Sequence, residues 1–253
     1  MRFASLGSGS RGNATLIEAG STCLLVDCGF SAAETTRRLA RLGKSPDDLS
    51  AILVTHEHGD HVKGVRVLAR RHALPVWATH GSLAAGGLTD LPSVMEGCAH
   101  QAFSIGDFAI SPFPVPHDAR EPCQFVFEDG RHRLGLLTDL GHATQHLMQA
   151  MGACDALLLE ANHDDHMLAT GPYPPSLKAR VGGDWGHMSN AQSARLLKAL
   201  DTSRLQHLVA MHLSEKNNTP ELAVAALSGA LGCEPGWIGV ARQDSGLGWR
   251  ELG

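Results

Sequence analysis

The chain has 253 residues, 43% of them hydrophobic and 19% charged, an ordinary globular composition that suffices to bury a substantial core. A formal net charge of -5 excludes a whole-chain positive field that would draw in nucleic acid, so any such binding has to be local. Six cysteines with no CxxC pair exclude a thiolate zinc knuckle and a disulfide framework, and point to reduced, mostly buried thiols.

Residues 1–10 lack the apolar core of a signal peptide and no later stretch could span a bilayer, so a cytoplasmic protein with no membrane partner is expected, built as one domain over residues 1–253. Apolar runs predict strands at residues 2–6, 15–17 and 23–26. Between the first two, "LGSGSRGN" can turn consecutive backbone N–H groups and hydroxyls toward an anion, which makes Ser8, Ser10 and Asn13 candidates for a phosphate cradle. A helix over 32–42 follows the cap Ser31, and a strand over 51–54 runs into "THEHGDH". The next helix, 62–72, carries Val62, Val65, Leu68 and Ala69 on one face, and strands are expected at 75–78 and 108–111. Strands 123–127 and 133–137 flank Glu128-Asp129-Gly130 as a hairpin. Beyond it, helices are expected at 143–151, 191–200 and 221–231 and strands at 156–159 and 207–211, with residues 171–183 as a Pro/Gly-rich loop beside the site. A hairpin embedded in strand and helix alternation predicts an α/β chain of two mixed sheets with outer helices.

Fifteen histidines against one tyrosine is the compositional anomaly, since imidazole is the commonest transition-metal ligand. Residues two apart in an extended chain point the same way, so His56 and His58 can reach one ion. Asp60 and His61 then open the next helix, aimed beside the first position. Zinc accepts both imidazole nitrogen and carboxylate oxygen, so this turn supplies half the ligands of two adjacent sites. The remaining ligands should also follow apolar runs, and His117 in "VPHDA", Asp139 in "LLTDLG" and His212 in "VAMHLSEKNN" all do.

The ordered set of Asp27 in "LLVDCG", then His56, His58, Asp60, His61, His117, Asp139 and His212 resembles the signature of the metallo-β-lactamase fold superfamily over most of the chain. The resemblance implies a four-layer αββα sandwich and two divalent ions, zinc ahead of manganese. His56, His58 and His117 would hold one ion, Asp60, His61 and His212 the other, and Asp139 would bridge them, with Asp27 orienting a ligand from outside. Asp60 also counts among the catalytic residues, because two ions about 3.5–4 Å apart can share a hydroxide as nucleophile, which is hydrolytic chemistry.

Two further stretches bear on the substrate. Glu160 in "LLLEANHD" ends an apolar run and His187 in "WGHMSN" precedes a helix start, so the carboxylate can hold the imidazole as proton donor to a leaving alkoxide. The pair is similar to the glutamate and histidine motifs of ribonuclease Z, although here Ala161-Asn162 follows the glutamate and Met188-Ser189 the histidine. "SLGSGSRGNATLIE", "THEHGDH", "EANHD", "GPYPPSLKARV", "GHMSN" and "HLSEKNN" resemble YycJ/WalJ-like proteins over nearly the full length. That resemblance implies a metal-dependent exonuclease acting from the 5′ end, on DNA ahead of RNA. Lys178 and Arg180 are the local cations for a nucleic-acid backbone. The interval from Asp139 to His212 leaves no room for the large extra domain of ribonuclease J types. The alternative is a small-molecule hydrolase of the β-lactamase, lactonase or thioesterase kind, which would use the same metals without needing Glu160 and His187. A third reading is a metal-binding scaffold without catalysis.

Overall fold

The computed structural model describes residues 1–253. Six strands come first, β1 (Arg2–Gly7), β2 (Ala14–Ala19), β3 (Thr22–Val26), β4 (Ala51–Leu53), β5 (Val76–Thr79) and β6 (Val94–Gly97). Seven more follow, β7 (Phe103–Ile105), β8 (Phe108–Pro114), β9 (Cys123–Glu128), β10 (Arg133–Leu137), β11 (Ala156–Glu160), β12 (His207–Met211) and β13 (Gly239–Val240), then β14 (Leu247–Glu251). They make two seven-stranded sheets, ordered β14-β1-β2-β3-β4-β5-β6 and β13-β12-β11-β10-β9-β8-β7. Each is mixed: β3 to β6 run parallel beside antiparallel β1, β2 and β14, and β10 to β13 run parallel beside antiparallel β7, β8 and β9.

The helices are α1 (Ala32–Arg41), α2 (Gly59–Val62), α3 (Val65–His72), α4 (His80–Ala85), α5 (Gln145–Ala150), α6 (Asp165–Thr170), α7 (Pro175–Val181), α8 (Asn190–Ala199) and α9 (Pro220–Leu231). Strand alternation explains the layering. Leu24 and Val26 of β3 join Leu53, Phe125, Phe127, Leu136 and Leu158 in the core between the sheets. Their neighbour Leu25 faces outward with Ile52 onto Leu39 of α1 and Val65 and Leu68 of α3. Leu157 and Leu159 of β11 face outward onto Leu196 and Leu197 of α8 and Leu227 of α9. Strands buried on both faces read as continuous apolar runs, which is why "LLLE" and "AILV" carry no alternation in sequence. The result is the expected helix, sheet, sheet, helix order. No helix is long and apolar enough to cross a membrane.

Three expectations are corrected. The helix expected over 62–72 is two helices broken at Gly64, where a β-carbon would stand 2.3 Å from the Phe30 carbonyl oxygen, so the chain can pass only as glycine. The stretch 171–183 contains α7, which Pro175 starts at a position where its missing N–H costs nothing. Strands β6, β7, β13 and β14, and the short α4 and α6, carry too little apolar pattern to stand out in sequence.

Candidate metal centre and its rim

The candidate residues lie at or just past the C-terminal ends of strands, the edge where loops of parallel sheets converge. Asp27 follows β3, His56 to His61 follow β4, Asp139 follows β10, Glu160 ends β11 and His212 follows β12. Asp27, Asp139 and His212 have φ of 61°, 55° and 52°, three of the five non-glycine residues in the left-handed region. Such backbone is uncommon outside glycine, and here Asp27 meets His61 and Asp139 meets His212 at the strand ends.

Four overlapping groups of donor atoms lie within 4.8 Å of one another: His56, His58 and His117; Asp60, His61 and His212; His56, His61 and Asp139; and Asp139, Glu160, His187 and His212, and the first two match the expected pair of sites. In the first, His58 Nδ1 lies 3.1 Å from His56 Nε2 and 3.2 Å from His117 Nε2. An ion with about 2.05 Å bonds to nitrogen in tetrahedral geometry has ligand edges of about 3.3 Å, so these separations fit a shared cation. Burial, together with the neighbouring His61, lowers His56 well below the usual imidazole range, and burial lowers His117, leaving neutral rings with lone pairs to share. In the second group, Asp60 Oδ2 is 3.7 Å from both His61 Nε2 and His212 Nε2. Asp139 stands between the groups, its Oδ2 3.2 Å from His61 Nε2 and its Oδ1 3.0 Å from His212 Nδ1.

Asp139 Oδ2 and His212 Nε2 are buried without a hydrogen-bond partner, which is costly for a polar atom unless something else occupies it. The donor set is imidazole and carboxylate only, and it fits divalent transition ions. Burial would lift the Asp139 carboxyl, but the charges of His212 and His61 hold it well below the usual range. Burial would likewise depress His61 and His212, and nearby carboxylates, Asp139 foremost, hold both well above theirs.

Around these residues the chain braces itself. Asp27 Oδ1 accepts the Thr55 N–H, and Oδ2 accepts the Thr55 hydroxyl and His61 Nδ1–H, each at 2.8 Å. Glu160 is fully buried. Its Oε1 accepts His187 Nδ1–H at 2.9 Å, His212 Nδ1–H at 3.2 Å and the Asp139 N–H, and Oε2 accepts the N–H groups of Leu140 and Met188. Burial would raise this carboxyl, but the charge and hydrogen bond of His187, then the hydrogen bond of His212, hold it at about 2. With its lone pairs so fully used, Glu160 is a poor ligand and a good anchor.

His187 is held from several sides. Its N–H donates to the Val181 carbonyl, and Ser189 caps α8 in a reciprocal box with Gln192. Gly186, next in line, packs so closely on α7 that a β-carbon would stand 2.1 Å from the Arg180 carbonyl oxygen, and its own carbonyl accepts His117 Nδ1–H at 3.1 Å.

Two of the three residues of the expected phosphate cradle, Ser8 and Asn13, are engaged within the protein. Ser8 Oγ accepts the His212 N–H at 2.8 Å and donates to Asn13 Oδ1, which also accepts the Gly9 N–H. Asn13 Nδ2 faces His61 Nε2 at 3.1 Å. Both side chains are buried and engaged, so they tie His212 to His61 instead of facing an anion, while Ser10 stays exposed with no hydrogen bond from its hydroxyl. Lys178 donates to the Ala169 carbonyl, and Arg180 pairs with Asp118, the neighbour of His117. Asp118 escaped the sequence reading, as did Asn162, whose Nδ2 donates to the His212 carbonyl, and Asn218, which donates to the Ala161 carbonyl. The motifs "EANHD" and "SEKNN" contain the last two, but an amide that braces backbone has no spacing signature.

Residues 22–213 match the family described as the β-lactamase superfamily domain. The chain is similar to exodeoxyribonuclease YycJ of Bacillus anthracis, with 36% identity over 91% of this chain and 89% of that one. It is similar to exodeoxyribonuclease WalJ of Streptococcus pneumoniae, 35% identical over 88% of this chain and 85% of that one. Ribonuclease Z of Bradyrhizobium diazoefficiens is 26% identical over 84% and 87%. Among solved structures, the metallo-β-lactamase fold protein YhfI of Bacillus subtilis superposes over 99% of both chains with a TM-score of 0.77 at 17% identity.

Proposed function

This chain belongs to the β-lactamase superfamily, and from that membership we propose that it is a phosphodiesterase with two divalent ions, zinc ahead of manganese, that removes nucleotides from the 5′ end of DNA. The observation that carries the reading is the pairing of His187 Nδ1 with fully buried Glu160 at 2.9 Å, beside Asp139 at 3.6 Å. His56, His58 and His117 would hold one ion and Asp60, His61 and His212 the other, with Asp139 between them. Divalent ions bound there supply Lewis acidity and lower the pKa of water to about 7, which provides the attacking group.

The chain's own residues do the rest. Glu160, anionic because its carboxyl is held at about 2, accepts the Nδ1 proton of His187 and so fixes the ring's orientation and tautomer. The other ring nitrogen, when protonated, is left to donate to the departing oxygen. His187 remains partly open to solvent while Glu160 does not, the arrangement needed for an imidazole that meets substrate and a carboxylate that only positions it. A lactam or thioester hydrolase has less use for such a donor. The similarity to two exodeoxyribonucleases at about 35% supports DNA over RNA.

The test is digestion of end-labelled single- and double-stranded DNA and RNA by metal-replete protein, with a chelated control. Release of the labelled 5′ nucleotide from DNA is the expected result. Intact 5′ ends together with efficient turnover of lactams, lactones or thioesters would overturn the reading. His187→Ala should keep its metal while turnover falls about 100- to 10,000-fold, the usual span for a positioned general acid. The fall should be smaller on a nitrophenyl phosphodiester, whose leaving group needs no proton.

A further inference from the structure

Trp185 is the most exposed large hydrophobic side chain in the protein, at 63%. Its backbone is held from several sides. The Trp185 carbonyl accepts the N–H of Asp118, the residue after candidate ligand His117. On one side, the Asp184 carbonyl accepts His142 Nδ1–H, and Gly141 packs against the Asp184–Trp185 peptide. On the other, Gly186 and His187 are fixed by His117, Val181 and Glu160. A rigid backbone therefore carries an open aromatic ring on the rim of the centre, two residues from the proton donor.

We propose that Trp185 is the platform on which an unpaired nucleobase of the substrate strand stacks, an inference that rests on the phosphodiesterase reading above. Electrostatics at this rim leave room for such a term. The chain's net charge is -5, Arg180 is already paired with Asp118, and Lys178 donates to a carbonyl, so two predicted backbone-binding cations are engaged within the protein. Base stacking on an aromatic side chain is tolerant of sequence, because every base has a π-face, and it discriminates a nucleic-acid strand from a bare phosphodiester. It would also hold the strand end in register with His187, where the leaving oxygen must lie.

The experiment uses single-stranded oligonucleotides in which an abasic residue replaces, in turn, each of the first three nucleotides from the attacked end. In the wild-type protein one of these positions should raise KM about 5- to 150-fold, the span expected for loss of one stacked base. Trp185→Ala should show the same rise on the fully based strand and no further rise on the abasic one, and Trp185→Phe should restore most of the loss. In chelated protein, oligonucleotide should quench the indole fluorescence of the wild type and quench Trp185→Phe less. An unchanged KM in Trp185→Ala, or an abasic penalty that persists undiminished in it, overturns the proposal while the nuclease reading stands. If the wild type neither binds nor cuts any oligonucleotide, both fall together.

Discussion

Glu160→Gln is nearly isosteric, yet it should be among the most damaging single-atom changes available in this protein. The carboxylate is fully buried and accepts three backbone N–H groups, those of Asp139 at 3.2 Å, Leu140 at 3.3 Å and Met188 at 3.1 Å, besides two imidazoles. A glutamine must turn its NH2 toward one side or the other. Placed at Oε2 it faces the N–H groups of Leu140 and Met188, and placed at Oε1 it faces Asp139 N–H and both rings. The cheaper choice leaves two buried donors without acceptors, at about 1–3 kcal/mol each, or about 2–6 kcal/mol in all. For a chain of this size that lowers Tm by roughly 5–20 °C. The assay is a thermal melt of wild type and variant in chelator, so that any change in metal affinity stays out of the comparison. A variant that melts within about 1 °C of wild type would refute the claim that this carboxylate anchors the backbone of two loops, and would leave it only the orientation of His187.

Replacing His58 or Asp139 by alanine should lower metal content from roughly two ions per chain, measured by elemental analysis, and activity with it. Glu34, held at about 2 by hydrogen bonds from Arg37 and then Arg38, has a folded pKa below its ordinary 4.5, so its contribution to stability is complete above about 4.5 and lost as pH falls toward 2; urea melts should show the gap between wild type and Glu34→Gln closing over that window. Alkylation should reach Cys98, which is exposed, well before Cys28, which burial pushes up to about 12 and which should react only after unfolding.

How much could be read in advance follows from how local each signal is. Ten of the strands were legible because runs such as "CLLV" and "ALLLE" fill both faces of a sheet, whereas edge strand β14, "LGWRE", is mostly exposed and takes its place only by pairing with β1. His56, His58, Asp60 and His61 sit together in sequence, so their convergence needed only local geometry. His117, Asp139 and His212 were candidates by position after apolar runs, and it is the two sheets packing face to face that brings them within reach of the others. Ser8 and Asn13 illustrate the opposite case. A glycine and serine turn looks the same in sequence whether its polar groups face solvent or brace a neighbouring loop, and here the partners that decide it, His61 and His212, lie 48 and 204 residues away in the chain.

The absent side chain at Gly186 lets one peptide unit serve three groups at once. Its carbonyl aims the ring of His117, its chain neighbours are Trp185 and His187, and the whole turn rests on α7 at a distance only hydrogen can occupy. A methyl there would lift the turn bodily away from the helix, so a mutational survey should find position 186 as intolerant as the histidines themselves, although glycine touches no substrate and donates no proton. Compensation would have to come from the partner surface, through a shift of the Arg180–Val181 end of α7. Those positions should therefore covary with 186 in any lineage where the glycine is lost.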